Sequence, residues 1–489
     1  MKDFEIDFSP QFSPEPAAAS GGHFSIFDEI ESHNRQYVKL CSRFLPVTDN
    51  DSVWRYCPET VAAGQEQGWK LHISAAILTA TEVFETVAPF LQSLKARFKA
   101  AASLFDLKNL NTGIIHGYSQ IGKFIVVYPQ SDSEAVFLAE RLHRLTARFS
   151  APSVPFDLRY KPESCVYYRY GSFKKHKLEN EDGSQTFVIR DPSGNFMADL
   201  RAAAGSKPAW ITNPFPPSPE SEKAVSPLDH TFKVFRALSQ RGKGGVYQAV
   251  DLSATPRRLC IIKEGRRHGE TNWDGRDGFA HVRHEEKMLE ALSSAGIEAP
   301  RIYASFETKN GFYLVLESIE GQSLEEMLRE RRRRLSVSQV AGFGLKIAEM
   351  VARIHSAGLV WRDLKPANLF ITKNRTVRPL DFEGACRVDA PDLLFWGTPA
   401  FFPGKTNEIS ARNSKPAVDL FALGVVLYFL IEGKLPEISE RETDFKIKRR
   451  RLPPELCKIV SELLQLNPEQ RPRADVVCRS LRAMLSPGA

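Results

Sequence analysis

The sequence predicts an α+β protein with two folded domains. Three observations carry the prediction. Over residues 25–206, short alternating runs that read as strands are interleaved with longer stretches of helical apolar spacing. Residues 207–227, dense in proline and serine, interrupt every pattern and read as a linker. Beyond it, strand and helix patterns resume and run through 228–489, and 489 residues suffice for two or three cores.

Residues 1–24 are rich in Pro, Ser, Ala and Gly and read as a flexible N-terminus. QGWKLHISA (67–75) follows as a strand in which Leu71 and Ile73 alternate with Lys70 and His72. Side chains alternate across a strand, so the lysine and the histidine share a face. Residues 79–103 carry apolar residues at helical spacing, interrupted by Pro89, and Lys99 falls inside this helical pattern between Phe98 and Ala100. GKFIVVYP (122–129) reads as a strand, 133–149 as an amphipathic helix, and FDLRY (156–160) and CVYYRY (165–170) as two further strands. Lys123, Arg159 and Arg169 occupy strand-like positions with no matching cluster of acids. Alone, Lys70 and His72 also suit a solvated face. Many cations around one histidine suit a dianion such as phosphate. A lysine in apolar surroundings, as Lys99 is here, loses its charge more readily, which a general base requires.

Composition narrows the partners. A net charge of +7 suits phosphate ligands or an acidic peptide and does not demand nucleic acid. Seven scattered cysteines without a CxxC pair fit reduced cytosolic thiols rather than disulfides or zinc. MKDFEIDFSP is no signal peptide, and the longest apolar run, Leu420 to Ile431, is too short to span a bilayer. The expectation is a cytoplasmic protein with no membrane partner.

The second half carries motifs in a telling order: CIIKE (260–264), VRHEEKMLEAL (282–292), VWRDLKPANLF (360–370), LDFEGA (380–385), AVDLFALGVVLYFL (417–430) and NPEQRP (467–472). Together they resemble a bilobal protein kinase. The resemblance implies that Lys263 pairs nucleotide phosphates and is held by Glu285. Asn368 and Asp381 would hold two Mg²⁺ ions, Asp363 would accept the hydroxyl proton, and Lys365 would steady the transferring phosphoryl group. The pattern departs from the family in places. In SQRGKGGVY (239–247) only Gly244 falls on a usual glycine; Ser239 and Arg241 replace the first two. Gly242 and Gly245 keep the turn flexible, so Gly242, Gly244 and Gly245 are expected to cover the phosphates of ATP or GTP. Trp361 replaces the usual catalytic-loop histidine, Glu383 replaces the glycine of DFG, and GTPAFFPGKT lacks the usual glutamate, which leaves Arg471 short of a partner.

QGWKLHISA, RFKAAAS, GKFIVVYP, DLRY, VYYRYGSF and FVIRDPSGN resemble the lyase region of class III lanthipeptide synthetases, itself related to phosphothreonine lyases. The DFE and GGVY segments resemble that family's kinase, and the likeness covers about residues 25–486. It implies that a precursor peptide with a leader is phosphorylated on Ser or Thr and then loses phosphate by β-elimination. Lys99 would be the base and His72 the acid, with Lys70, Lys123, Arg159 and Arg169 holding phosphate and no metal in the lyase. The family's zinc-dependent cyclase is not expected within 489 residues, which points to a separate cyclase or other tailoring enzyme. RERRRR (329–334) and KIKRRR (446–451) read as solvated faces, with docking of an acidic leader as the alternative. The main competing reading is a signalling Ser/Thr kinase with an N-terminal phosphopeptide reader; against a third, a leader-binding partner without catalysis, stand the intact Lys263, Asp363, Asn368 and Asp381.

Overall fold

The computed structural model describes residues 26–48, 53–61, 64–174, 176–180, 183, 185–199, 207–216, 228, 230–331, 333–392, 396–403, 415–436, 447 and 451–486. The expected flexible N-terminus, most of the linker and most of KIKRRR lie outside them. The chain divides into two compact units. The first takes Met1–Asp229 together with Ser239–Gly245 and Gly265–Phe279; the second takes the remainder.

The first unit is built on a seven-stranded antiparallel sheet. Its strands are β1 (Val47–Thr48), β2 (Trp54–Tyr56), β3 (Gln67–Ile73), β4 (Phe98–Ala101), β5 (Ile125–Val127), β6 (Leu158–Arg159) and β7 (Val166–Ser172). Their spatial order is β1-β2-β4-β5-β3-β7-β6. The helices are α1 (Ile26–Phe44), α2 (Pro58–Val61), α3 (Ala80–Ser93), α4 (Leu104–Thr112) and α5 (Asp132–Thr146). Leu71 and Ile73 of β3 join a core with Val83, Phe84, Val87 and Leu91 of α3 and Leu138 and Leu142 of α5. That core removes one sheet face from water, and the strand period of two leaves Lys70 and His72 on the other. A small antiparallel sheet follows, from β8 (Lys177–Glu179), β9 (Gln185–Arg190) and β10 (Phe196–Ala198).

One expected element is corrected. The helical spacing over 79–103 holds only as far as Ser93; Lys99 lies on β4. Lys95 turns the chain with a φ of 51°, which ends the helical course. RFKAAAS then pairs on both sides, Lys99 opposite Tyr56 and opposite Val126. A short apolar run satisfies either period, and the backbone ladders available decide it.

Most of a five-stranded sheet and a helical part make up the second unit. The five strands are β11 (Phe232–Arg241), β12 (Gly244–Asp251), β13 (Arg258–Arg266), β14 (Ile302–Glu307) and β15 (Gly311–Glu317), in the order β11-β12-β13-β15-β14, with α6 (Gly278–Ser294) following β13. Then come β16 (Gly321–Ser323), α7 (Leu324–Glu330), α8 (Val337–Ser356), β17 (Leu359–Val360), β18 (Leu369–Thr372), β19 (Val377–Pro379) and β20 (Cys386–Arg387), and last α9 (Ala417–Glu432), α10 (Pro454–Leu463) and α11 (Ala474–Ala483). Ser323 and Ser336 close capping boxes with Glu326 and Gln339, which fixes where α7 and α8 start. Nearly every residue of α9 is buried, as an apolar surface all round the helix requires. This is the expected bilobal α+β architecture. No described helix is long and apolar enough to cross a membrane.

Candidate active sites

On the sheet face opposite α3 and α5, the first unit has a cavity of about 790 Å³. Cross-strand register builds it. Tyr56, Lys99, Val126 and His72 form one row across β2, β4, β5 and β3. Two residues along the strands, Arg97 bonds through its carbonyl to Tyr128, and Lys70 stands opposite Arg169. Lys70, His72, Lys99, Lys123 and Arg169 all line the cavity. Five residues from four separate stretches of sequence meet there. The Lys99 ammonium lies 4.0 Å from the Trp54 ring centre and 5.6 Å from that of Tyr56, within cation–π reach.

Arg159 does not join the cavity lining. On edge strand β6 it pairs with Tyr167, its Nε donating to the Tyr167 hydroxyl at 2.8 Å and its Nη2 to Ser153 Oγ at 3.1 Å. In this structure its side chain is held by Tyr167 and Ser153 at the sheet edge.

The expected lack of acids is corrected. Asp157, with its side chain fully buried, accepts from His72 Nδ1 and lies 4.0 Å from both Lys123 Nζ and Arg169 Nε. Asp199 accepts from Arg169 Nη2 at 2.5 Å. The one sequence signal for Asp157 is its place two residues before Arg159; nothing local marks Asp199. Burial, opposed by Asp157 and reinforced by Lys123 and Lys70, pushes the His72 imidazole down to about 3. His72 is thus neutral at rest, with its Nδ1–H donated to Asp157. Burial works to raise the Asp157 pKa, but Lys123, His72 and Arg169 outweigh it and hold the carboxyl at about 2. Burial, then Arg169, pushes Lys70 well below the usual lysine range, with Asp199 opposing. His72 and Lys70 resist charge here, so an incoming anion would stabilise their charged forms.

The second unit gathers the kinase-type residues. Lys263 Nζ lies 2.7 Å from Glu285 Oε1, 3.1 Å from Asp381 Oδ1 and 3.8 Å from Glu383 Oε1. Burial works against its charge, but Asp381, Glu285 and Glu383 outweigh that and raise its pKa. Asp363 accepts from Lys365 Nζ at 2.8 Å, Asn368 Nδ2 at 2.9 Å and Thr398 Oγ1 at 3.0 Å. Trp361 occupies the histidine position and keeps a linking role: its indole donates to the Asp381 carbonyl at 2.9 Å and its ring stacks on Phe382. The amides of Trp361 and Arg362 are both held by Asp419 at 2.8 Å. Arg471, short of a glutamate in the sequence, donates instead to the carbonyls of Gln465, Ala417 and Leu466. The glycine loop departs from expectation at Gly242. Its N–H donates to the Thr112 carbonyl at 2.9 Å, and a Cβ there would come within 1.7 Å of the Asn111 carbonyl oxygen. Gly242 is a close-approach glycine within the first unit, with its amide already engaged. Gly244, at φ 153°, opens β12, with Gly245 next on the same strand. Hard oxygen donors suit Mg²⁺. Asp381 is part-exposed, and Asn368 spends its amide nitrogen on Asp363, which leaves its oxygen available, so these residues fit such an ion.

Residues 46–226 match the model of the RamC N-terminal domain, and residues 232–481, half of the chain, match the protein kinase domain. A probable SapB synthase of Streptomyces coelicolor is 29% identical over 348 residues, covering 68% of this chain and 37% of that protein. The serine/threonine-protein kinase PknA of a Nostoc species is 28% identical over 227 residues, 44% of this chain and 39% of the kinase. Serine/threonine-protein kinase F of a Synechocystis species is 26% identical over 255 residues, 48% of this chain and 51% of the kinase. The chain thus spans between about a third and a half of the curated relatives it matches. It belongs to the protein kinase family and carries, ahead of its kinase domain, a domain of the RamC N-terminal type, the pairing implied by its resemblance to class III lanthipeptide synthetases.

Proposed function

We propose that the chain is a two-step peptide dehydratase. Residues 228–489 phosphorylate Ser or Thr of a precursor peptide, and residues 25–206 eliminate the phosphate to leave dehydroalanine or dehydrobutyrine. The observation that carries this reading is the convergence of Lys99, His72, Lys70, Lys123 and Arg169 on one cavity. The likeness to a SapB synthase supports a ribosomally made peptide as substrate.

In the kinase step Lys263 pairs phosphates of ATP or GTP, and Asp363 takes the proton from the attacking hydroxyl. Lys365, bonded to both Asp363 and Thr398, steadies the transferring group. Asp381 and Asn368 would hold Mg²⁺, which when bound neutralises charge developing on the phosphates. In the lyase step Lys70, Lys123 and Arg169 bind the phosphate dianion. Its charge favours the imidazolium form of His72, with Asp157 already on Nδ1, so the opposite nitrogen can donate to the leaving oxygen. Lys99 removes the α-proton, the Cβ–O bond breaks, a Cα=Cβ bond forms, and phosphate departs with the proton from His72.

The test is intact mass of a Ser/Thr peptide incubated with the chain, nucleotide and Mg²⁺. Loss of about 18 Da per site supports the dehydratase. A stable gain of about 80 Da per site, with no later loss, refutes it and favours the signalling reading that the Ser/Thr kinase relatives raise.

A further inference from the structure

Resting on the elimination reading, we infer that Arg97 is a further catalytic residue of the first unit's cavity, binding the carbonyl oxygen of the phosphorylated residue while its α-proton is removed. Three observations converge on it. Arg97 lines the cavity and precedes Lys99 by two positions. Its carbonyl accepts from the Tyr128 amide at 2.8 Å, so the ladder of β4 reaches it and both side chains share a face, with their backbones about 7 Å apart. Its donors are underused. A guanidinium has five N–H groups, and Arg97 directs Nη2 to Gln65 Oε1 at 2.8 Å while its buried Nε has no acceptor among the described residues. Its charge is uncompensated. Arg97 is only 9% exposed, yet no carboxylate pairs with it among the described residues; Asp157, behind the lining, and Asp199 serve His72, Lys123 and Arg169. A buried cation without an anion is costly unless a ligand supplies the charge.

Chemistry names the group that does so. The α-hydrogen of a peptide residue is weakly acidic. Removing it sends the C–H electrons to the neighbouring carbonyl oxygen, which needs a donor where that charge develops. The enolate then collapses to the Cα=Cβ bond as the Cβ–O bond breaks, and phosphate leaves with the proton from His72. Strand order divides the labour. The acid and two phosphate cations, Lys70 and Arg169, stand on the adjacent strands β3 and β7, whereas the base stands on β4, with β5 between. Arg97 stands immediately before the base's strand, two positions from Lys99 and on the same face, and is assigned the carbonyl beside an α-hydrogen that faces Lys99. Gln65, itself donating to the Gln67 carbonyl at 3.1 Å, fixes the guanidinium in place.

The experiment compares the full chain with Arg97→Gln and Arg97→Lys, using a synthetic phosphoserine peptide with hydrogen or deuterium at Cα and following phosphate release. Arg97→Gln is expected to lower kcat by about 10²–10³-fold, as loss of one such donor does. KM should hardly move, and the α-deuterium isotope effect should rise because proton removal becomes more rate-limiting. Arg97→Lys should recover part of kcat, since it keeps the charge without the fork. Wild-type kcat and isotope effect in either variant overturn the inference. So does a loss confined to KM, which would make Arg97 one more phosphate ligand. If Arg97→Gln does not fold, Arg97→Lys alone decides by the same criteria. A wild-type chain that releases no phosphate from the peptide sinks the elimination reading itself, and this inference with it.

Discussion

Replacing Asp157 by Asn should separate binding of the phosphopeptide from its elimination. The carboxylate is the shared anion of His72, Lys123 and Arg169, and its Oδ1 lies 4.0 Å from both Lys123 Nζ and Arg169 Nε. At that distance each pair is worth about 4 kcal/mol before desolvation, with an effective dielectric near 20. Desolvation offsets much of this, and breaking a buried ion cluster costs about 3–5 kcal/mol of stability. Catalysis suffers through His72. An imidazolium loses a charge-assisted bond worth about 1.5–3 kcal/mol, which is one to two pKa steps, or about 10–100-fold less of the acid form. The expected result is kcat lower by about that factor, with KM equal or lower because Lys123 and Arg169 are freed for phosphate. An acid works only while protonated, so the fall of kcat at rising pH should begin at lower pH in the variant. The assay is phosphate release from a synthetic phosphopeptide across pH, with thermal melting beside it. A folded Asp157→Asn protein with wild-type kcat and an unmoved profile refutes the argument.

Lys99→Ala should stop dehydration and let phosphopeptide accumulate by mass spectrometry, while His72→Ala should slow it by about 10²–10⁴-fold and recover with a better leaving group; wild-type dehydration by both returns the cavity to a phosphate reader. Lys70→Ala should chiefly weaken phosphopeptide binding, seen as a raised KM. Asp363→Asn and Asp381→Asn should each abolish phosphorylation yet still dehydrate a pre-phosphorylated peptide, and failure of both folded variants on that peptide contradicts separate sites. Stability should fall in acid: His72 sits at about 3 when folded against 6.5 unfolded, so the unfolded chain takes the proton first. That contribution is complete above about pH 6.5 and is lost as pH falls toward 3, with Asp157 adding a further loss only below its ordinary 3.8. Melting of His72→Gln should depend less on pH over that window, and an equal dependence contradicts the assignment.

Local pattern alone settled much of this protein. Alternation of Leu71 and Ile73 with Lys70 and His72 put the two polar residues on one sheet face, because a strand's side-chain period is two and one face must bury. The motifs from Lys263 to Asp381 were legible because each is a short contiguous string. The all-apolar run of α9 could only be interior. Folding decided what depends on partners remote in sequence. Lys99 became a strand residue through pairing with Tyr56 and Val126, neither of them its neighbour along the chain. Asp157 reached His72 across 85 positions, and Asp199 reached Arg169 across 30. Arg159, two residues from Asp157, was drawn instead to Tyr167 at the sheet edge, and Arg97 to Gln65. Burial makes each such polar group find a partner, but which partner is in reach is set by strand order and register, and these exist only once distant segments have paired.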